Sequence, residues 1–107
     1  MKIYQLKIAK DYTKYPAGRF KTDGPFSGEK FREEYLLPAL KKHEKVSILI
    51  DGVKGYGSSF LEEAFGGIVR EKYYTKEELA KKMEIQCDDT SLQSYIAEIW
   101  EYINNAK

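Results

Sequence analysis

The residues most able to do chemistry lie in one run, DGVKGYGSSFLEEAFGGIV, residues 51–69. It opens on spaced glycines, carries the adjacent serines Ser58 and Ser59, and then takes up a helical period. A turn of that make-up can cradle a phosphate on backbone amides, carry a nucleophilic hydroxyl, offer a hydroxyl for phosphorylation, or simply start a helix. Each use demands different companions.

A phosphate loop is only half present. Gly52 to Ser59 spells G-V-K-G-Y-G-S-S against G-x-x-x-x-G-K-[ST], so the glycines fit, but Ser58 stands where the phosphate-reaching lysine belongs. The dinucleotide pattern fails as well, because Phe60 replaces its third glycine. A serine hydrolase needs G-x-S-x-G and a histidine base, and the turn lacks the elbow. The single histidine, His43, lies between Lys42 and Glu44 at the polar end of a helical stretch, and nothing around Cys87 marks it as a nucleophile. One cysteine and one histidine cannot build a closed zinc site. No catalytic residue, metal or cofactor is called for. Asp88 and Asp89 precede a helix and read as caps, and Glu62 and Glu63 sit in a first helical turn, where the macrodipole favours carboxylates. Ser59 with Glu62 has the S-x-x-E spacing of a capping box. Ser58 has no such assignment and is expected on an exposed turn, within reach of another protein.

The elements that must position this turn can be read from periodicity. Residues 3–9 alternate like a strand, with apolar residues on both faces. Residues 10–27 are rich in turn formers, with a short second strand expected around Arg19 to Thr22. Phe31, Tyr35, Leu36, Ala39 and Leu40 make a helical stripe over 28–43 behind Ser27 as N-cap, and Pro38 predicts a kink or break. KVSILID, 45–51, has an apolar run that predicts a central strand buried on both faces. From Ser59 the stripe Phe60, Leu61, Ala64, Phe65, Ile68, Val69 predicts a helix, and Gly66 and Gly67 within it imply close approach to the sheet or an early end. Thr75 and Glu78 form a capping box for a short helix over 76–83, MEIQC at 83–87 suits an edge strand, and a last helix over 91–105 has Thr90 and Gln93 at capping-box spacing. Strands alternating with helices predict an α/β fold, one domain over residues 1–107.

Composition narrows the function. The chain has 107 residues, with 18 basic and 17 acidic side chains and a net charge of +1, which is no footprint for nucleic acid. No run is long and apolar enough for a membrane span or a secretory signal, and one cysteine fits a reducing compartment, so a cytoplasmic protein is expected.

The strand ending in Asp51, the turn, the two serines and the helix beginning F-L with paired glycines resemble the STAS domain, whose type members are the bacterial anti-sigma-factor antagonists. More closely, GRFKTDGPFSGEKFREEYLLPAL and KVSILIDGVKGYGSSFLEEAFGGIVRE resemble short bacterial STAS-like proteins of unknown function, over roughly residues 18–106. The resemblance implies a small fold with a mixed sheet and helices packed mainly on one face. It also implies a regulatory, non-enzymatic protein-interaction role in signalling. In such modules a histidine-kinase-like ATPase phosphorylates a serine at the start of the helix after the central strand. Carried onto this chain, the phosphoacceptor is Ser58, with Ser59 beside it. Lys54 would pair with the phosphate, while Glu62 and Glu63 would oppose it. The partner surface would comprise Lys54, Gly55, Tyr56, Gly57 and Phe60, with Arg19, Asp23, Ser27 and Arg32 lining a surface nearby. The alternative is a small-ligand or nucleotide-binding domain using the Gly52–Ser59 backbone as an anion cradle.

Overall fold

A computed structural model describes residues 2–107. Three strands, β1 (Ile3–Lys7), β2 (Lys45–Leu49) and β3 (Met83–Gln86), form one sheet in the order β1-β2-β3. Both pairings are parallel, with Leu6 opposite Ile48 and Ile48 opposite Ile85. The sheet of the described residues is therefore parallel throughout, where a mixed one was expected. Each return runs through helix, as parallel neighbours require.

The sheet has one covered face. Leu6, Val46, Ile48, Met83 and Ile85 are buried on it. The opposite face carries Gln5, Lys7 and Gln86, all exposed, with a Lys45–Glu84 ion pair at 2.9 Å and a Ser47 hydroxyl donating to Gln86 at 3.1 Å. β1 is therefore open on that side. The centre of β2 is buried on both faces, as expected, but the residue that fills the second face is Ser47, at 2 % exposure, while Leu49 on the same face is only half-buried. Helices on one face, as expected, is what the burial shows.

Helix α1 spans residues 28–42, α-helical at Gly28–Phe31 and Leu37–Lys42 with a wider π turn at Arg32–Leu36 between them. That turn resolves the Pro38 problem. The Leu37 amide donates to the Arg32 carbonyl, five residues back, so Pro38 falls in the first turn of the second segment, where a missing N–H costs little. The helix neither breaks nor ends. Ser27 caps it as expected, its hydroxyl accepting from the Lys30 amide at 3.2 Å.

Helix α2 spans residues 58–70, again with a π turn, at Glu62–Gly66. Phe60, Leu61, Ala64, Phe65 and Ile68 are wholly buried. Helix α3 (Lys76–Lys82) starts on the expected Thr75–Glu78 capping box, with reciprocal bonds of 2.9 and 3.1 Å. Helix α4 (Gln93–Asn105) follows a 3-10 turn at Thr90–Leu92, and it buries Ile99 and Ile103. Asp89 caps that turn through the Ser91 amide, so the expected Thr90–Gln93 box is replaced by the aspartate before it. The strand expected near Arg19 is a 3-10 turn at Lys21–Asp23. None of the helices in the described residues is long and apolar enough to cross a membrane.

Candidate functional site

The glycine-serine turn hangs from the carboxyl end of the central strand. Asp51 follows β2, and its carboxylate accepts from the amides of Asp88 at 3.0 Å and Asp89 at 2.8 Å. This ties the turn to the β3–α4 connection. Gly52 has φ +89°, and a Cβ there would lie 2.8 Å from that of Ala9, so only glycine turns the chain at this point. Val53 and Tyr56 then plug the turn into the core. The Tyr56 phenol donates to the Ile50 carbonyl at 2.8 Å, and its ring meets Tyr95 edge-on at 5.4 Å. Burial and the Asp51 charge raise its phenol well above the ordinary value.

Gly57 occupies the N-cap of α2, and no side chain caps the helix. Ser58 and Ser59 occupy its first positions and are both exposed. The Ser59–Glu62 capping box is therefore corrected. The N-cap falls on Gly57, two residues before Ser59, and Glu62 faces other partners. Lys54 is exposed, Gly55 is half-buried, and Gly57 is exposed.

The two glutamates are held by three arginines. Arg19 and Arg70 both pair with Glu62, and both also reach Glu63, at 3.2 and 3.0 Å. Arg32, only 3 % exposed at its side chain, pairs with Glu63 at 2.8 Å and donates to the Glu63 carbonyl. Its Nε has no partner among the described residues. Burial acts to raise the Glu63 carboxyl, but hydrogen bonds from Arg32 and Arg19 prevail and hold it below the ordinary carboxylate range. Gly67 makes this possible, since a Cβ there would collide with the Arg32 guanidinium. Gly67 thus makes room for an arginine of α1, and Gly66 lies against the Glu62 carboxylate and the Tyr102 carbonyl of α4. The paired glycines serve contacts other than the sheet, and α2 does not end early but continues to Arg70.

The predicted site residues divide accordingly. Lys54, Gly57, Ser58 and Ser59 are each exposed. Tyr56 and Phe60 are core residues, so their side chains face inward rather than toward a partner. Ser27 is buried as a cap, and Arg32 is buried in the ion network. Asp23 is exposed but bound to the amides of Arg19 at 3.2 Å and Phe20 at 2.8 Å, which closes its own turn. Of the expected flanking surface Arg19 and Arg32 touch α2, through Glu62 and Glu63, and of these two only Arg19 is partly exposed. From the sequence, Glu62 and Glu63 are expected as dipole partners and Glu62 as half of a capping box, not as the centre of an ion network. Arg70, one helical face along from Glu63, was the legible hint; Arg19 and Arg32 are too distant in sequence to be read.

His43 and Cys87 do not meet as base and nucleophile. His43 ends α1 before β2 and stacks on Tyr4 at 4.3 Å, whereas Cys87 follows β3 at the opposite end of the parallel strands.

A parallel three-stranded sheet helix-covered on one face, with an uncapped helix after its central strand, defines a small α/β domain of the STAS-like kind. Residues 27–91, more than half of the chain, match the family model for the STAS-like domain of unknown function (DUF4325), and the chain belongs to that family. The match is narrower than the 18–106 likeness read from the sequence. No curated protein and no solved structure matches the chain.

Proposed function

We propose that this protein is a non-enzymatic regulatory module that binds a protein partner through the exposed turn and the first residues of α2, with Ser58 as its switch. One observation carries the reading. Ser58 and Ser59 are exposed at the start of a helix whose cap position belongs to Gly57, so neither hydroxyl is committed to capping the fold. A phosphate added there meets first-turn amides and the positive end of the helix. Glu62 and Glu63 would oppose that charge, but three guanidiniums already offset them. A histidine-kinase-like ATPase is the first partner to seek, by the family resemblance.

The test is mass spectrometry of the protein purified from its host, with parallel capture by wild type, Ser58→Ala and Ser58→Asp. We expect phosphate on the Ser58 peptide and a partner retained by one charge state and released by the other. Equal capture by all three proteins, with both serines unmodified, would sink this reading.

A second reading, small-ligand or nucleotide binding, has its own observation. A groove of about 610 Å³ opens at the carboxyl ends of the strands, lined by Lys7, Lys10, Asp51 and Asp88 among others. Ligands of open α/β sheets bind at such ends. Its mixed charges give no preference for an anion, and Gly52 is shaped by Ala9, so the cradle is the weaker case. A nucleotide-dependent rise in melting temperature would favour it.

A further inference from the structure

Six large hydrophobic residues are exposed among the described residues, and three of them fall within one loop: Tyr15 at 75 %, Phe20 at 48 % and Phe26 at 36 %. Single exposed apolar residues are ordinary; three aromatic rings on twelve consecutive residues are not. The loop is also fully braced. The Ala17 amide donates to the Phe26 carbonyl at 3.0 Å, and the Gly28 and Glu29 amides donate to Gly18 and Arg19, each at 3.0 Å. The Tyr12 phenol donates to the Ser27 carbonyl at 2.9 Å, and its ring meets Phe26 edge-on at 5.8 Å. The backbone that carries the rings is therefore held in place, and a partner meets it without having to order the loop.

We propose that the loop over residues 13–27 is a preformed protein-docking surface, and that its occupant is an acidic polypeptide segment with apolar anchors. The charges select this occupant. The loop and its margins hold acidic groups, but their carboxylates are turned onto the chain's own amides: Asp11 onto Lys7, Asp23 onto Arg19 and Phe20, Glu29 onto Lys21. Lys10, Lys14 and Lys30 form no ion pair among the described residues. The loop and its sequence margins thus carry exposed aromatic rings together with cations that form no ion pair among the described residues. Aromatic anchors bordered by charge are the make-up of interface hot spots. Nucleic acid is disfavoured by a chain of net charge +1. A second copy is an outcome that light scattering decides.

The loop meets α2 through Arg19, which pairs with Glu62 and Glu63, but the proposal does not depend on Ser58. The probe is a random 16-residue peptide library on phage, selected against the full chain. Controls are a 20-residue oligothymidylate and light scattering for self-association. We expect peptides in which Asp or Glu flank Phe, Leu or Trp. Their affinity should fall at least tenfold in Phe20→Ser and in Tyr15→Ser, several-fold in Lys14→Glu, and with added salt, while Ser58→Ala binds as wild type. The altered side chains are exposed, and circular dichroism verifies the fold. Neutral or basic peptides, affinity indifferent to these substitutions, tight oligothymidylate binding, or a dimer lost in Phe20→Ser would each overturn the proposal.

Discussion

Arg32 and Glu63 form a buried pair whose worth lies in the neighbours that complete it. Removing one partner of such a pair leaves an uncompensated buried charge, typically costing about 3–5 kcal/mol. Glu63→Gln is therefore expected to lower the urea midpoint sharply, and far more than Glu71→Gln, whose side chain is 54 % exposed. The pH dependence has a definite sign. The folded carboxyl titrates below its ordinary value of 4.5, so its stabilisation is present above that pH and is lost as pH falls through the lower folded value. Urea titrations between pH 7 and pH 3 should show this acid-side loss in wild type and a shallower one in Glu63→Gln. Gly67→Ala should destabilise through the same guanidinium, because the added methyl occupies its place. A shallow effect there would mean that Arg32 can leave the network cheaply.

At the scale of elements, two helix starts that look alike in sequence are expected to respond differently. Thr75→Ala removes a working cap and should cost about 1 kcal/mol. Ser59→Ala removes none and should stay within about 0.5 kcal/mol of wild type in thermal melts. The end of α2 offers the converse change. Lys72 has φ +65°, its amide donates to Val69, and that of Tyr73 donates to Ile68, which is a Schellman ending with lysine where glycine is usual. Lys72→Gly should stabilise by about 0.5–1 kcal/mol, read as a raised melting temperature. Much of this scale was legible beforehand, because apolar stripes at helical spacing have few other uses: Phe60 to Val69 and Leu92 to Ile103 both lie where their period puts them. What escaped was decided by partners far along the chain. Pro38 is absorbed by a π turn that no local rule announces. Glu62 is drawn from its expected capping bond by Arg19 and Arg70. Tyr56, expected on a partner surface with the rest of the turn, donates to the Ile50 carbonyl instead.

For the molecule as a whole, the sheet has a dry side and a wet side, and the candidate interaction surfaces lie outside both, on the turn before α2 and on the loop before α1. Sequence similarity and burial draw different boundaries around that architecture. The family match runs over residues 27–91, yet β1 supplies Leu6 to the covered face of the sheet, Ile8 follows it into the core, and α4 supplies Ile99 and Ile103. A polypeptide trimmed to residues 27–91 would keep the glycine-serine turn and both of its serines. It would also uncover one edge and one flank of the apolar core, an invitation to aggregate. Its circular dichroism should show no cooperative melt where the full chain gives one. The smallest unit that can be cut out, moved or fused with its switch intact is set by strand β1 and helix α4, both of which lie outside the family match.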